Sequence, residues 1–167
     1  MPAGATNAAN SLAPFQAALS LLPYWDKTLT NTFSAGEFTL EAAPAWKTMT
    51  AAGNTPYVSV GGDYFFKRYL AIGGELLTFG NGQGSSSLDS ALANLTLRKD
   101  IGNIAGYALI GAGYDFNTDR FVAALGPGIT YRYSTGIGLF VDTRWTIEGT
   151  AKERNGWLTR VGVQLHF

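Results

Sequence analysis

The last eight residues of the chain, Arg160–Phe167, read RVGVQLHF and carry the pattern that decides the fold. Every second side chain is apolar, because Val161, Val163, Leu165 and Phe167 alternate with glycine and polar residues. A period of two is typical of a β-strand that has one apolar face. The alternation continues to the final residue, although chain ends usually fray unless they are held in the fold.

The same period of two extends back through the chain to Gly36. It predicts eight strands, at about 36–47, 57–66, 69–79, 88–98, 103–115, 120–133, 137–148 and 157–167. No helical pattern interrupts these strands, so consecutive strands should pair in an antiparallel meander. The connections alternate between very short and longer segments, which is typical of an up-and-down barrel that spans a membrane.

One face of the predicted strands collects the large apolar side chains and carries no charged residue. The aromatic residues on this face fall at two heights when the strand directions are traced alternately. Level with Phe167 are Phe38, Tyr64, Phe66, Tyr131 and Tyr133, and at the opposite end are Trp46, Tyr114, Phe121, Trp145 and Trp157. Two aromatic girdles that flank an apolar band are typical of membrane-spanning barrels.

The other face is rich in glycine and holds one or two charges per strand. Its charged residues are Glu41, Asp63, Glu75, Arg98, Arg132, Asp142, Arg144, Glu148 and Arg160. A sheet face in water would hold more charge, whereas an eight-stranded barrel has space inside for only a limited volume of side chains. We therefore predict that the charges point inward and that the apolar face meets lipid. The alternative is a soluble barrel or sandwich with the apolar face inside.

The chain resembles the small eight-stranded outer-membrane β-barrels of Gram-negative bacteria, the OmpA/OmpX-like type, over about 36–167. The resemblance is carried by the strand GLFVDTRWTI at 138–147, by the hairpin GPGITYRYSTG at 126–136 and by the terminal RVGVQLHF. It implies an outer-membrane location with both termini in the periplasm. It also implies that Phe167 is a signal for the barrel-assembly machinery, with simple packing as the alternative. Pro44 and Pro127 lie within predicted strands, where we expect bulges.

Composition and motifs give no indication of an enzyme or of a cofactor. The 12 basic residues balance the 12 acidic ones, which leaves no positive surface charge for nucleic acid. The chain has no cysteine and one histidine, and its carboxylates lie on separate strands, so no metal or cofactor site is predicted. Barrel lipid-A deacylases use a Ser–His–acid arrangement, but no serine nucleophile is evident beside His166. We predict that His166 is a hydrogen-bonding residue at the rim.

Residues 1–32 are predicted to be an extension that precedes the barrel at 33–167. A short amphipathic helix is expected at about 11–22, with its apolar stripe formed by Leu12, Phe15, Leu19 and Leu22. This stripe has three interpretations, which are a membrane surface contact, a plug of the barrel, or docking on a protein partner or on the barrel mouth. Docking is preferred because no basic residue precedes Lys27.

The inward charges suggest the function. Since buried charges are costly unless they are paired, the carboxylates and guanidinium groups should pair across the lumen. The sequence therefore predicts a non-enzymatic structural anchor or interaction subunit with a closed polar lumen. The alternative is a narrow channel for small solutes or ions.

Overall fold

The computed structural model of the protein describes residues 33–49, 53–78, 88–149 and 155–167. These residues form eight antiparallel strands in a closed barrel, in which each strand pairs with its neighbours in sequence and the first pairs with the last. The strands are β1 (Glu37–Met49), β2 (Gly53–Lys67), β3 (Leu70–Thr78), β4 (Leu88–Ile101), β5 (Ile104–Asp115), β6 (Arg120–Arg132), β7 (Ile137–Glu148) and β8 (Gly156–His166). The fold class predicted for the barrel is confirmed. The predicted helix at about 11–22, with Leu12, Phe15, Leu19 and Leu22, lies outside the described residues.

The two faces of the sheet are separated as the alternation predicts. Every strand has an outward face whose large apolar side chains are exposed, for example Leu139 at 51% and Leu125 at 61%. Within the described residues, no helix is long and apolar enough to span a membrane. The inward face contains the charged side chains together with small and polar residues and some large apolar ones, such as Leu77 and Leu158. The outer face is therefore apolar while most charged residues lie inside, which is the reverse of a soluble domain.

Both prolines that were expected to cause bulges lie in regular ladders. Pro44 pairs with Val58 on β2, and Pro127 pairs with Ala108 on β5, without a shift of register. The β1–β8 and β6–β7 ladders keep the same register on either side of these prolines, but their paired residues are interrupted there. The bulge prediction is wrong. A proline lacks one backbone N–H donor, so pairing with one neighbouring strand is interrupted, but no extra residue is inserted into the strand. The register shifts lie instead between Tyr64 and Lys67, and beside Thr78.

Two strands are longer than predicted. β2 begins at Gly53 and includes Pro56, which the sequence assigned to a turn. Pro56 pairs with Trp46 of β1, and the β2–β3 pairs among the described residues begin at Val58. β4 continues to Ile101, which pairs with Ile104 across a short turn that begins with Gly102.

The longer β4 corrects the prediction that the apolar face carries no charge. Lys99 pairs with Gly106, and its side chain is exposed on the outer face near the end of the hairpin. The sequence KDIG was interpreted as a turn, so Lys99 was assigned to neither face. Gly102 has a φ of 64°, which allows the turn to close within two residues and extends the strand past the lysine.

A charged and closed lumen as the candidate functional site

The centre of the lumen is held by two arginines from adjacent strands. Arg144 and Arg160 are almost completely buried, at 0% and 2% exposure. Arg160 lies opposite Asp142 on the neighbouring strand and donates to both of its oxygens, with Nε 3.1 Å from Oδ1 and Nη2 2.5 Å from Oδ2. Arg144 approaches the same carboxylate, with Nη2 3.3 Å from Oδ2. Such two-pronged pairs fix the guanidinium plane as well as its charge.

Glu75 connects these arginines to the opposite side of the barrel. It projects from β3, and its Oε1 lies 3.1 Å from Nη1 of Arg160. Arg144 donates to its second oxygen. Ser59 on β2 donates to Oε1 of Glu75 at 2.8 Å and accepts from Nη1 of Arg160 at 2.9 Å. One carboxylate thus joins β3 to β7 and β8 through the interior.

A third carboxylate, Glu41 on β1, completes the central network. Its Oε2 lies 3.3 Å from Nη2 of Arg160, and its Oε1 accepts from Nε2 of Gln164 at 2.6 Å. Gln164 in turn accepts from Thr130 at 2.5 Å. The neutral side chain of Gln164 thus binds the Glu41 oxygen that Arg160 does not contact.

A second cluster closes the end of the barrel at which Phe167 lies. Glu37 accepts from Arg98, with Nη1 2.8 Å from Oε1, and it also pairs with Arg132. The Nδ1 atom of His166 lies 3.4 Å from Oε1 of Glu37 and 3.4 Å from Nη2 of Arg132. Hydrogen bonds and charge therefore satisfy Glu37 from three sides.

Two buried aromatic rings cover the arginines of this mouth cluster. The guanidinium carbon of Arg98 lies 3.5 Å from the ring centre of Phe65 and 4.5 Å from that of Phe33. Arg132 lies 3.9 Å from the ring centre of Phe33. Phe33 is 2% exposed although it precedes the first strand. Cation–π contacts of this kind are strongest where water is excluded, so Phe33 caps the mouth.

An apolar layer fills the opposite half of the lumen. It consists of Ala45, Leu77, Leu92, Val122, Ala124 and Leu158, with Tyr57 packed against it. Beside it, Lys47 and Glu148 form a buried ion pair. The lumen is therefore filled by three successive layers, which are the mouth cluster, the central network and this apolar layer.

Two small cavities lie between the described residues of the lumen. One of about 10 Å³ lies between the mouth cluster and the central network, lined by Thr39, Glu41, Asp63, Phe65, Thr96, Arg98, Tyr107, Thr130 and Gln164. Another of about 20 Å³ lies beside the apolar layer and is lined by Leu158 and Glu148 among others. Volumes of roughly 10–15 Å³ hold one water molecule. Neither cavity is wide enough to form a continuous pore.

The predicted lumen residues all lie on the inward face. Glu41, Glu75, Asp142, Arg144 and Arg160 meet in the central network, whereas Arg98 and Arg132 meet in the mouth cluster. Glu148 is separate and pairs with Lys47. Asp63 forms no ion pair with any described residue and accepts from Thr96 at 3.2 Å.

Sequence reasoning missed two important partners, Glu37 and Lys47. Both occupy inward positions of the alternation at the two ends of the first predicted strand, but they were not included among the predicted inward charges. One signal could have found Glu37. Arg98 and Arg132 lie near the Phe167 end of the barrel and need a carboxylate there, which Glu37 provides.

The residues predicted for the aromatic girdles lie at the two ends of the outer face. Tyr64 on β2 pairs with Phe38 on β1, and the ring centres of Phe38 and Phe167 are 6.3 Å apart. At the other end, the rings of Trp145 and Trp157 are 5.3 Å apart. The other predicted girdle residues are Trp46, Phe66, Tyr114, Phe121, Tyr131 and Tyr133. Tyr69 and Phe116, which lie in turns, are also exposed and were not predicted.

Within the described residues, no group of three or more histidine, aspartate or glutamate side chains is arranged to hold a metal ion. His166 contacts Glu37 and Arg132, and no described serine hydroxyl is hydrogen-bonded to its ring. The chemistry of the lumen is therefore that of paired charges.

Comparison with solved structures places this architecture among membrane barrels. OprG of Pseudomonas aeruginosa aligns with a TM-score of 0.65 at 11% sequence identity, over 83% of this chain and 99% of that chain. A de novo designed transmembrane β-barrel aligns with a TM-score of 0.63 at 19% identity, over 80% and 97% of the two chains. The protein has the fold of a small outer-membrane β-barrel.

The N-terminal β-barrel domain of OprF from Pseudomonas aeruginosa shares this fold, with a TM-score of 0.52 at 11% identity over 80% of this chain and 99% of that chain. Comparisons of the sequence with protein-family models and with curated proteins find no match. At these low identities the likeness concerns the fold alone, so the specific function must be argued from the lumen and the outer surface of this barrel.

Arg160→Met tests how strongly the central network holds the barrel together. The substitution leaves Asp142, Glu75 and Glu41 without their shared partner, and breaking a buried ion pair on one side costs about 3–5 kcal/mol. The expected result is a large loss of unfolding free energy, measured by denaturant titration of the protein refolded in detergent.

Arg68→Met provides the matched control for that variant. Arg68 forms an ion pair with Asp100, with Nε 3.1 Å from Oδ1, but its side chain is 60% exposed to solvent. Exposed ion pairs contribute little to stability. Equal stability losses in the two variants would contradict the view that the buried network has a special structural role.

Proposed function

We propose that this protein is an integral β-barrel of the bacterial outer membrane that acts as a non-enzymatic structural anchor or interaction subunit of the cell envelope. The observation that carries the proposal is the filled lumen. Ion pairs bridge it from Glu75 on β3 to Arg144 on β7 and Arg160 on β8, and the adjoining cavities are about 10 and 20 Å³. A barrel that is filled in this way offers its surface and its rims to partners, and it offers no continuous path for solutes.

The membrane location is supported by the outer face. Large apolar side chains are exposed on all eight strands, including Ile72 on β3 and Ile110 on β5, each at 56%. Closing the sheet gives every strand a hydrogen-bonded neighbour on both sides, as a lipid environment requires. The same face in water would be an apolar surface far larger than soluble monomers tolerate.

The orientation follows from the short turns. Arg68–Tyr69 and Gly102–Asn103 connect strands at the end where Phe167 lies. Short turns face the periplasm in outer-membrane barrels, and longer connections face outward. We therefore assign Phe167 and the entry to β1 to the periplasmic side, with membrane lipid around the strands.

Conductance measurements distinguish the scaffold from a narrow channel. Wild-type protein inserted into planar lipid bilayers should show no steady ion current, because the three filled layers leave no continuous water path. Insertion is verified on the same sample by protease protection in vesicles, so that silence does not reflect failed incorporation.

The opposite outcome is equally specific. Steady current steps in the wild type, whose size changes in Glu41→Gln, would identify a path through the lumen, since Glu41 lines the cavity beside the central network. That result would overturn the scaffold proposal and favour the channel.

A second proposed role concerns Phe167 during biogenesis, as a recognition element for the barrel-assembly machinery. The residue is well placed for this role, because its backbone exchanges hydrogen bonds of 2.9 and 3.2 Å with Phe38 at the seam between β1 and β8. Its side chain is 39% exposed and remains accessible at the rim.

Phe167→Ala and Phe38→Ala separate assembly from packing. Both variants remove the same ring contact, but only the first removes the terminal aromatic side chain. Phe167→Ala should lower the amount of barrel in the outer membrane of cells, measured by membrane fractionation, and should refold in detergent as well as Phe38→Ala does. Equal membrane levels for the two variants would reduce Phe167 to a packing residue.

A further inference from the structure

A groove of about 690 Å³ lies on the outer wall of the barrel, across β4, β5 and β6. Its floor is made of small outward-facing residues, because Gly106, Ala108 and Pro127 occupy adjacent positions there. Leu97, Tyr69 and Ile101 form its sides. Most of the outer wall carries branched or aromatic side chains, so a recess of this size in the apolar band is a local departure from the rest of the surface.

The end of the groove near the Phe167 rim carries a positive charge. Lys99 lies beside Gly106 in the ladder and is exposed on the outer face. Within the described residues its ammonium group forms no ion pair or hydrogen bond. The neighbouring carboxylate, Asp100, is engaged by Arg68, and this hydrogen bond raises the pKa of the arginine. Lys99 is therefore not neutralised by Asp100.

We propose that this groove binds one anionic phospholipid of the leaflet at the Phe167 end, with the phosphate at Lys99 and an acyl chain over Gly106, Ala108 and Pro127. The inference rests on the proposed membrane location and adds a specific ligand to it. The recess is shallow and open toward the surrounding lipid, which suits an acyl chain that lies along the wall. A lysine ammonium is a compact partner for phosphate, and its aliphatic stem can lie along apolar surface while its charge reaches the headgroups.

The charge at the edge favours lipid over a second copy of this chain as the occupant. An isologous dimer formed on the groove would place the Lys99 residues of both copies in one interface. Like charges placed together in this way oppose association. An anionic headgroup meets the same lysine with opposite charge, and the acyl chain meets the apolar floor.

Gly106 allows the groove to be filled without disturbing the barrel. A Cβ atom built at Gly106 meets nothing within 4 Å, and the residue has no positive φ. Gly106→Leu therefore blocks the floor from the outside. Ala112→Leu is the matched control, because Ala112 is exposed on the same face of the same strand but lies away from the groove.

The test is native mass spectrometry of the folded full-length protein in detergent, titrated with phosphatidylglycerol or with phosphatidylcholine. Wild type and Ala112→Leu should retain one phosphatidylglycerol with about fivefold preference over phosphatidylcholine. Lys99→Gln should remove the preference, and the wild-type preference should fall as salt concentration rises. Gly106→Leu should lose retention of both lipids.

The proposal is overturned if wild type retains the two lipids equally, or if Gly106→Leu retains as much lipid as Ala112→Leu. A concentration-dependent dimer that Gly106→Leu disrupts would assign the groove to a second copy instead. Insertion of all variants into vesicles is measured in parallel. Failure of every variant to insert would count against the membrane location, whereas normal insertion without selective lipid retention would count against the groove alone.

Discussion

The structure depends on the pairing of charges inside a barrel that is too narrow to hydrate them. Arg144 and Arg160 are nearly inaccessible, and a lone guanidinium group in that position would be too costly to bury. Their neutralisation by Asp142, Glu75 and Glu41 allows the polar face to point inward. Once the polar face is inside, the apolar face must be outside, and the membrane becomes the only environment that suits it.

The same requirement explains the layered interior. Side chains from six strands meet in the central network. The ion pairs of Glu75 on β3 with Arg144 on β7 and Arg160 on β8 connect strands that are not neighbours in the ladder. Glycine provides the space. At Gly126, for example, an added Cβ would lie 2.0 Å from the carbonyl oxygen of Thr143, which shows how closely the backbones approach. A filled and cross-linked interior is consistent with a rigid scaffold, and it directs attention to the outer wall and the rims as the places where function resides.

Much of this architecture is predictable from sequence because a period of two assigns each residue to a face. The bounds of β7 match the prediction, and the nine predicted inward charges occupy inward positions. The pattern does not tell which residues of different strands lie at the same level along the barrel axis. Glu37 became visible as the partner of Arg98 and Arg132 only when the register was known. Lys99 was missed because the turn at Gly102 lets β4 continue past the predicted strand end. At Pro44 and Pro127 the structure has no bulge, and pairing is interrupted only in the β1–β8 and β6–β7 ladders.

The central claim is that the apolar face meets lipid while the charges lie inside, and spin labels can test it directly. The chain has no cysteine, so single cysteines can be placed at Ile110, Leu125, Leu139 and Val141 on the outer face, with the exposed turn residue Arg68 as the reference. Collision rates with oxygen and with a water-soluble nickel chelate are then measured by electron paramagnetic resonance in lipid vesicles. The structure predicts frequent oxygen collisions and few nickel collisions at the four wall positions, and the reverse at Arg68. Nickel access at the wall positions equal to that at Arg68 would contradict the account.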